Sequence, residues 1–69
     1  MSRVIVTVNG AATQLPDGSS IAVLVEQLQL AGRRIAVEVN EEIVPKSAHA
    51  QTPLRDGDRV EVVHAIGGG

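Results

Sequence analysis

The sequence has no cysteine, and His is never grouped with acidic residues in a metal-binding pattern, so neither a disulfide nor a structural zinc can supplement its core. It has no Phe, Tyr or Trp either. The interior must be built from Val, Ile, Leu and Ala, side chains with well-defined rotamers, and a nucleic acid would find no ring on which to stack its bases. Positive charge is scarce as well. Six Lys and Arg against eight Asp and Glu leave a net charge of −2, scattered along the chain, with no basic face to neutralise phosphates. These two absences argue against nucleic-acid binding. No stretch approaches the roughly 20 apolar residues of a bilayer span, and Met1-Ser2-Arg3-Val4 leads directly into an alternating segment instead of an apolar signal core. The expectation is a cytoplasmic domain that does not bind membranes. A single domain of 69 residues buries only about 60% of the surface its unfolded chain exposes, so an extensive enclosed active site is not expected.

What is present is strong local patterning. From Arg3 to Val8 the residues alternate, with Val4, Val6 and Val8 on one side and Arg3, Ile5 and Thr7 on the other, the period of a half-buried strand. Asn9-Gly10 supplies a tight turn, so Ala11 to Leu15 returns as an antiparallel partner until Pro16-Asp17-Gly18 ends it. Ile21, Leu24, Val25 and Leu28 follow at helical spacing, with Ser19 and Ser20 as capping candidates. A helix over 20–31 is expected, closed by Gly32 in the left-handed conformation, with Arg33 and Arg34 near its negative end. Ile35 to Val39 reads as a third strand, Asn40-Glu41-Glu42 as a turn into the short piece Ile43-Val44, and residues 46–53 as irregular. Arg55-Asp56-Gly57-Asp58 is another turn, leading into a final strand over 59–66. The order implies a mixed sheet with one helix lying across it, an α+β arrangement over residues 1–66.

If the first and last strands pair in mid-sheet, Ile5, Val63 and Ala65 face outward as a small apolar patch leading toward the tail, and patches of that kind often mark partner surfaces. The tail is the most informative feature. Gly67-Gly68-Gly69 has no Cβ atoms, does not pack and can thread a narrow channel, offering the C-terminal carboxylate as a chemical handle. At average glycine usage such a triplet would fall at one given place in about 3 chains in 10,000. Inside the domain nothing resembles a catalytic constellation. A triad of Ser19 or Ser20 with His49 or His64 would rest on residue types alone, and both serines have better employment as caps. His64 falls on the inward set of the last strand, where a partly buried, hydrogen-bonded histidine is expected. Asp56-Gly57-Asp58 lacks the other ligand positions of a calcium loop.

Taken together, Val6-Thr7-Val8-Asn9-Gly10, Ala36-Val37-Glu38-Val39-Asn40, Ile43-Val44-Pro45-Lys46, Asp56-Gly57-Asp58 and the terminal Gly68-Gly69 resemble the ThiS family of sulfur carriers, within the ubiquitin-like β-grasp fold. The likeness spans nearly the whole chain, and it is order, spacing and length together that make it specific. It departs from the family at two points: Gly67 makes three terminal glycines where two are usual, and Lys46 stands where Arg is common.

The resemblance implies a β-grasp domain with a four- to five-stranded mixed sheet, followed by a flexible glycine tail over 67–69. It implies no enzyme activity and no bound cofactor, but a cosubstrate role. A ThiF-type adenylyltransferase would use ATP to adenylate the Gly69 carboxylate, Gly67 and Gly68 threading its active site. A persulfide donor protein would then convert the adenylate to a thiocarboxylate, and a ThiG-type thiazole synthase would consume it. The carrier would be a monomer when free, and Ile5, Val63, Ala65 and Ile66 would contribute to docking. Three other readings compete: the small subunit of molybdopterin synthase, whose members are longer and richer in aromatics, a ubiquitin-like protein modifier, and a non-covalent β-grasp interaction module.

Overall fold

Asn9 and Gly10 sit at φ 50° and 87°, the pair of left-handed conformations that a type I′ turn requires, and this turn folds the N-terminal segment into a hairpin. Its strands are β1, Arg3–Val8, and β2, Ala11–Pro16. The computed structural model describes residues 2–64. After the hairpin come the helix α1, Ile21–Gln27, and the strands β3, Ile35–Val39, and β4, Glu42–Val44; a 3₁₀ helix, Lys46–Gln51, leads on to β5, Arg59–His64. The sheet order is β2-β1-β5-β3-β4. β1 and β5 run parallel at its centre and every other neighbouring pair is antiparallel, so the sheet is mixed, as expected.

One face of the sheet is the core. Val4, Val6 and Val8 of β1, Leu15 of β2, Val37 of β3 and Val60 and Val62 of β5 are buried against Ile21, Leu24 and Val25 of α1 and Leu54 of the loop before β5. The alternation read in β1 therefore sorts inside from outside correctly. No described helix is long and apolar enough to cross a membrane.

Four expectations are corrected. The helix is shorter than 20–31: it ends at Gln27 and Gln29 closes it at φ 61°, while Gly32, left-handed as expected at φ 83°, serves the turn that follows instead of the helix end. The Gln29 and Leu30 amides donate to the Glu26 and Val25 carbonyls at 2.9 Å, the bond pattern of a Schellman motif. Leu30 drives this early stop. It lies off the stripe of Ile21, Leu24, Val25 and Leu28 and reaches the core only if the chain reverses there. The last helical turn consequently carries no basic residue, and Arg33 and Arg34 lie beyond it.

Only one serine caps the helix. Ser20 Oγ accepts from the Val23 amide at 3.3 Å, whereas the buried Ser19 donates its hydroxyl to the Pro16 carbonyl at 2.6 Å and so braces the turn. Residues 46–51 are helical instead of irregular, started by Pro45 and held by Thr52 Oγ1, which donates to the Ala48 carbonyl at 2.7 Å. Finally, His64 is exposed although it shares a face with Val62, because it pairs with Ile35 at the end of the sheet. The buried histidine is His49, whose Nε2 donates to the Val44 carbonyl at 3.0 Å. The part of the final strand expected over 65–66 lies outside the described residues.

Candidate functional site

Among the described residues nothing covers the face of the sheet opposite α1, and its large exposed apolar side chains are Ile5, Ile43 and Val63, at 47%, 71% and 55% exposure. Ile5 and Val63 do point outward from neighbouring central strands, as the sequence suggested. The register keeps them apart, however. Thr7 of β1 lies beside Arg59 of β5 in parallel, so Ile5 falls two residues before that level and Val63 four after it, roughly 20 Å apart along the strands. Strand pairing alone could not reveal this, since the offset of a parallel pair is set by the long connection between the strands.

Val63 instead belongs with residues of β3 and β4. It faces Ala36, and two residues along Glu61 faces Glu38, which in turn faces Ile43. Ile43 and Val63 thus lie about 12 Å apart with two carboxylates between them. Ile43 was not singled out from the sequence. The signal for it was parity: Val44 pairs with the buried Val37, which forces Ile43 to the other face. Glu41 and Arg59 complete the polar centre, Arg59 Nη2 donating to Glu41 Oε2 at 3.4 Å in an exposed ion pair that contributes little to stability.

At the near end of β5 the turn acids serve the backbone. Asp56 Oδ1 accepts from the Ile5 amide at 2.7 Å, and Asp58 Oδ2 from the Arg55 amide at 2.8 Å. Their oxygens close turns, as the sequence reading proposed. Asn40 adds a strut between the β3–β4 turn and β5, its Nδ2 donating to Asp58 Oδ1 and its Oδ1 accepting from the Arg59 amide. Among the described residues no three His, Asp or Glu side chains come together as a metal-holding group. Ser19, Ser20, His49 and His64 form no triad either: both serine hydroxyls and His49 Nε2 are committed to main-chain groups.

A groove of about 220 Å³ lies between α1 and the 3₁₀ helix, with Val25, Leu30 and Ile35 as its floor and Glu26, Arg33 and Lys46 at its rim. Ala65, Ile66, Gly67, Gly68 and Gly69 lie outside the described residues. By connectivity they follow His64, the last residue of β5.

A five-stranded mixed sheet with one helix packed across a single face and β1 and β5 parallel in the middle defines a ubiquitin-like β-grasp domain. The chain belongs to the ThiS family, whose sequence model matches residues 3–69. It is 34% identical over 61 residues to the sulfur carrier protein ThiS of Escherichia coli (strain K12), covering 88% of this chain and 92% of that protein. It is also 42% identical over 62 residues to a thiazole synthase of Paramagnetospirillum magneticum, covering 90% of this chain but 19% of that protein, so the chain spans a minor part of that relative. Among solved structures, the ThiS thiamine biosynthesis protein from Geobacter metallireducens superposes with a TM-score of 0.81 at 30% identity, covering 96% of this chain and 100% of that one.

Proposed function

We propose that this chain is the sulfur carrier for building the thiazole ring of thiamine, with Gly69 as the residue that carries the sulfur. One observation supports this most: the family match runs from Arg3 through the glycines to residue 69, so fold and tail are matched together. The chemistry follows from the group itself. An α-carboxylate has a pKa near 3.5, is ionised at neutral pH and is inert toward sulfur nucleophiles. A ThiF-type partner makes it electrophilic: a carboxylate oxygen attacks the α-phosphorus of ATP, pyrophosphate leaves and an acyl-adenylate remains. A persulfide sulfur of the donor protein then attacks the carbonyl and AMP leaves. A thiol cleaves the resulting acyl disulfide to release the thiocarboxylate, which a ThiG-type thiazole synthase consumes. ATP is the partner's substrate, and the carrier supplies no catalytic group.

On this reading the free carrier is a monomer that visits each enzyme in turn. A tail alone offers too little area for specific binding, so the bare sheet face docks. Val63, Ile43 and the carboxylates of Glu38 and Glu61 form the docking surface nearest the tail, with Ala65 and Ile66 leading from it. Ile5 lies at the far end of the same face.

The test is the intact mass of the protein after incubation with ATP, the activating enzyme and a sulfur source, with and without a thiol-alkylating reagent. Alkylation separates sulfur exchange from oxidation of Met1, which changes the mass almost equally. In a chain without cysteine, an alkylated adduct localised to Gly69 is the thiocarboxylate. No adduct from an enzyme set that thiolates another carrier would overturn the proposal in favour of a protein modifier or a plain interaction module.

A further inference from the structure

We infer that Asn9 is a positioning residue for the tail, its side chain holding the end of β5 at Val62 in line with the sheet. The inference rests on the sulfur-carrier reading above. β1 pairs with β5 only through Thr7 and Val8, opposite Arg59 and Val60. It then reverses at Asn9-Gly10, so beyond Val60 the central strand loses its main-chain neighbour on that side. Asn9 replaces it. Its amide donates to the Val60 carbonyl at 2.9 Å, its Oδ1 accepts from the Val62 amide at 2.9 Å, and its Nδ2 donates to the Val62 carbonyl at 3.1 Å. The carboxamide thus stands in for a peptide group and carries the parallel pairing two residues further.

The turn does not demand this. A type I′ turn needs only a positive φ at Asn9, and glycine meets that need at no steric cost. The two side-chain bonds are therefore separable from the turn, and what they restrain is the segment from which residues 65–69 depart. A tail that must enter an enzyme channel binds in proportion to the fraction of time its base is correctly placed. Fraying of Val62 to His64 lowers that fraction without touching the chemistry.

Asn40 provides an internal control. It has nearly the same φ, 51°, in the other hairpin, and its side chain also bonds to β5, but at Asp58 and Arg59, the end away from the tail. The experiment compares wild-type protein, Asn9→Gly and Asn40→Gly as substrates of the adenylating enzyme, reading pyrophosphate release, with amide hydrogen exchange as the structural readout. In Asn9→Gly the expected results are faster exchange at Val62 to His64 and a KM for the carrier raised about tenfold, with kcat within about twofold of wild type. Asn40→Gly keeps a wild-type KM even if its global stability falls as far. Asn9→Asp, which retains an acceptor but sets a second oxygen against the Val62 carbonyl, does not restore the KM. An unchanged KM in Asn9→Gly, or an equal rise in Asn40→Gly, overturns the positioning role while leaving sulfur carriage intact. A wild-type chain that is never adenylated removes both readings.

Discussion

Glu38 and Glu61 stand directly opposite each other on β3 and β5, two carboxylates side by side in the middle of the bare sheet face. The cation that shares their cleft, Arg59, is paired with Glu41 instead. Like charges in directly opposed positions destabilise a sheet. Glu61→Gln is therefore expected to stabilise the fold by about 0.5 kcal/mol, seen as a higher urea midpoint whose advantage shrinks as salt is added. A lower midpoint would mean that the two carboxylates do not repel as the register requires. On the docking reading the same variant binds the activating enzyme more weakly, so stability and affinity move in opposite directions.

His49 fastens the 3₁₀ helix to the end of β4. The ring is buried and Nε2 donates to the Val44 carbonyl at 3.0 Å. Replacing it by Ala leaves that carbonyl without its donor and opens a cavity where the buried ring sat, at a cost of about 2 to 3 kcal/mol. A domain of this size holds only about 3 to 5 kcal/mol in its core, so the His49→Ala protein should be substantially unfolded in low urea. A loss below about 0.5 kcal/mol, the range of an ordinary surface change, would show that this hydrogen bond contributes nothing.

Gln29 occupies a conformation that suits glycine. Its φ of 61° is imposed by the Schellman turn that returns Leu30 to the core, and no feature of a glutamine side chain favours it. Gln29→Gly should stabilise the protein by up to about 1 kcal/mol, the gain from removing a left-handed non-glycine residue less the added freedom of the unfolded chain. The check is a thermal or urea transition compared with wild type. A loss of stability would place the helix end somewhere other than Gln27.

This residue also shows where the sequence stopped being legible. The strands of the first hairpin, β3 and β5 were readable because period-two alternation and Asn-Gly or Asp-Gly turns are local signals. The helix end was not. Gly32 offered the usual closing residue, but the chain turned three residues earlier to bury Leu30, a tertiary demand that outweighed local preference. His64 and Ile5 failed in a related way. Alternation gave the correct face for each, while exposure at the strand end and distance from Val63 depended on how far neighbouring elements extend and on a parallel register. For the candidate site, Val63 was found by parity, and Ile43 was reachable by the same reasoning once Val44 was paired with Val37.

Gly68 gives the sharpest functional prediction, because folding and function should separate there completely. Its neighbours in sequence are glycines, and the described core, from Val4 to Val62, lies entirely before it. Gly68→Val therefore should not move the urea midpoint beyond the scatter of a surface substitution, about 0.5 kcal/mol. On the sulfur-carrier reading, however, this residue lies in a channel beside ATP when Gly69 is adenylated. A branched side chain restricts the backbone and fills space that only glycine leaves open, and a misplacement of 1 Å at a reacting group can cost about a hundredfold in rate. Pyrophosphate release and the alkylated adduct should both fall at least that far in the Gly68→Val protein. Normal activation would mean that the glycines are not selected by a channel, and the tail would then need another explanation than passage through an active site.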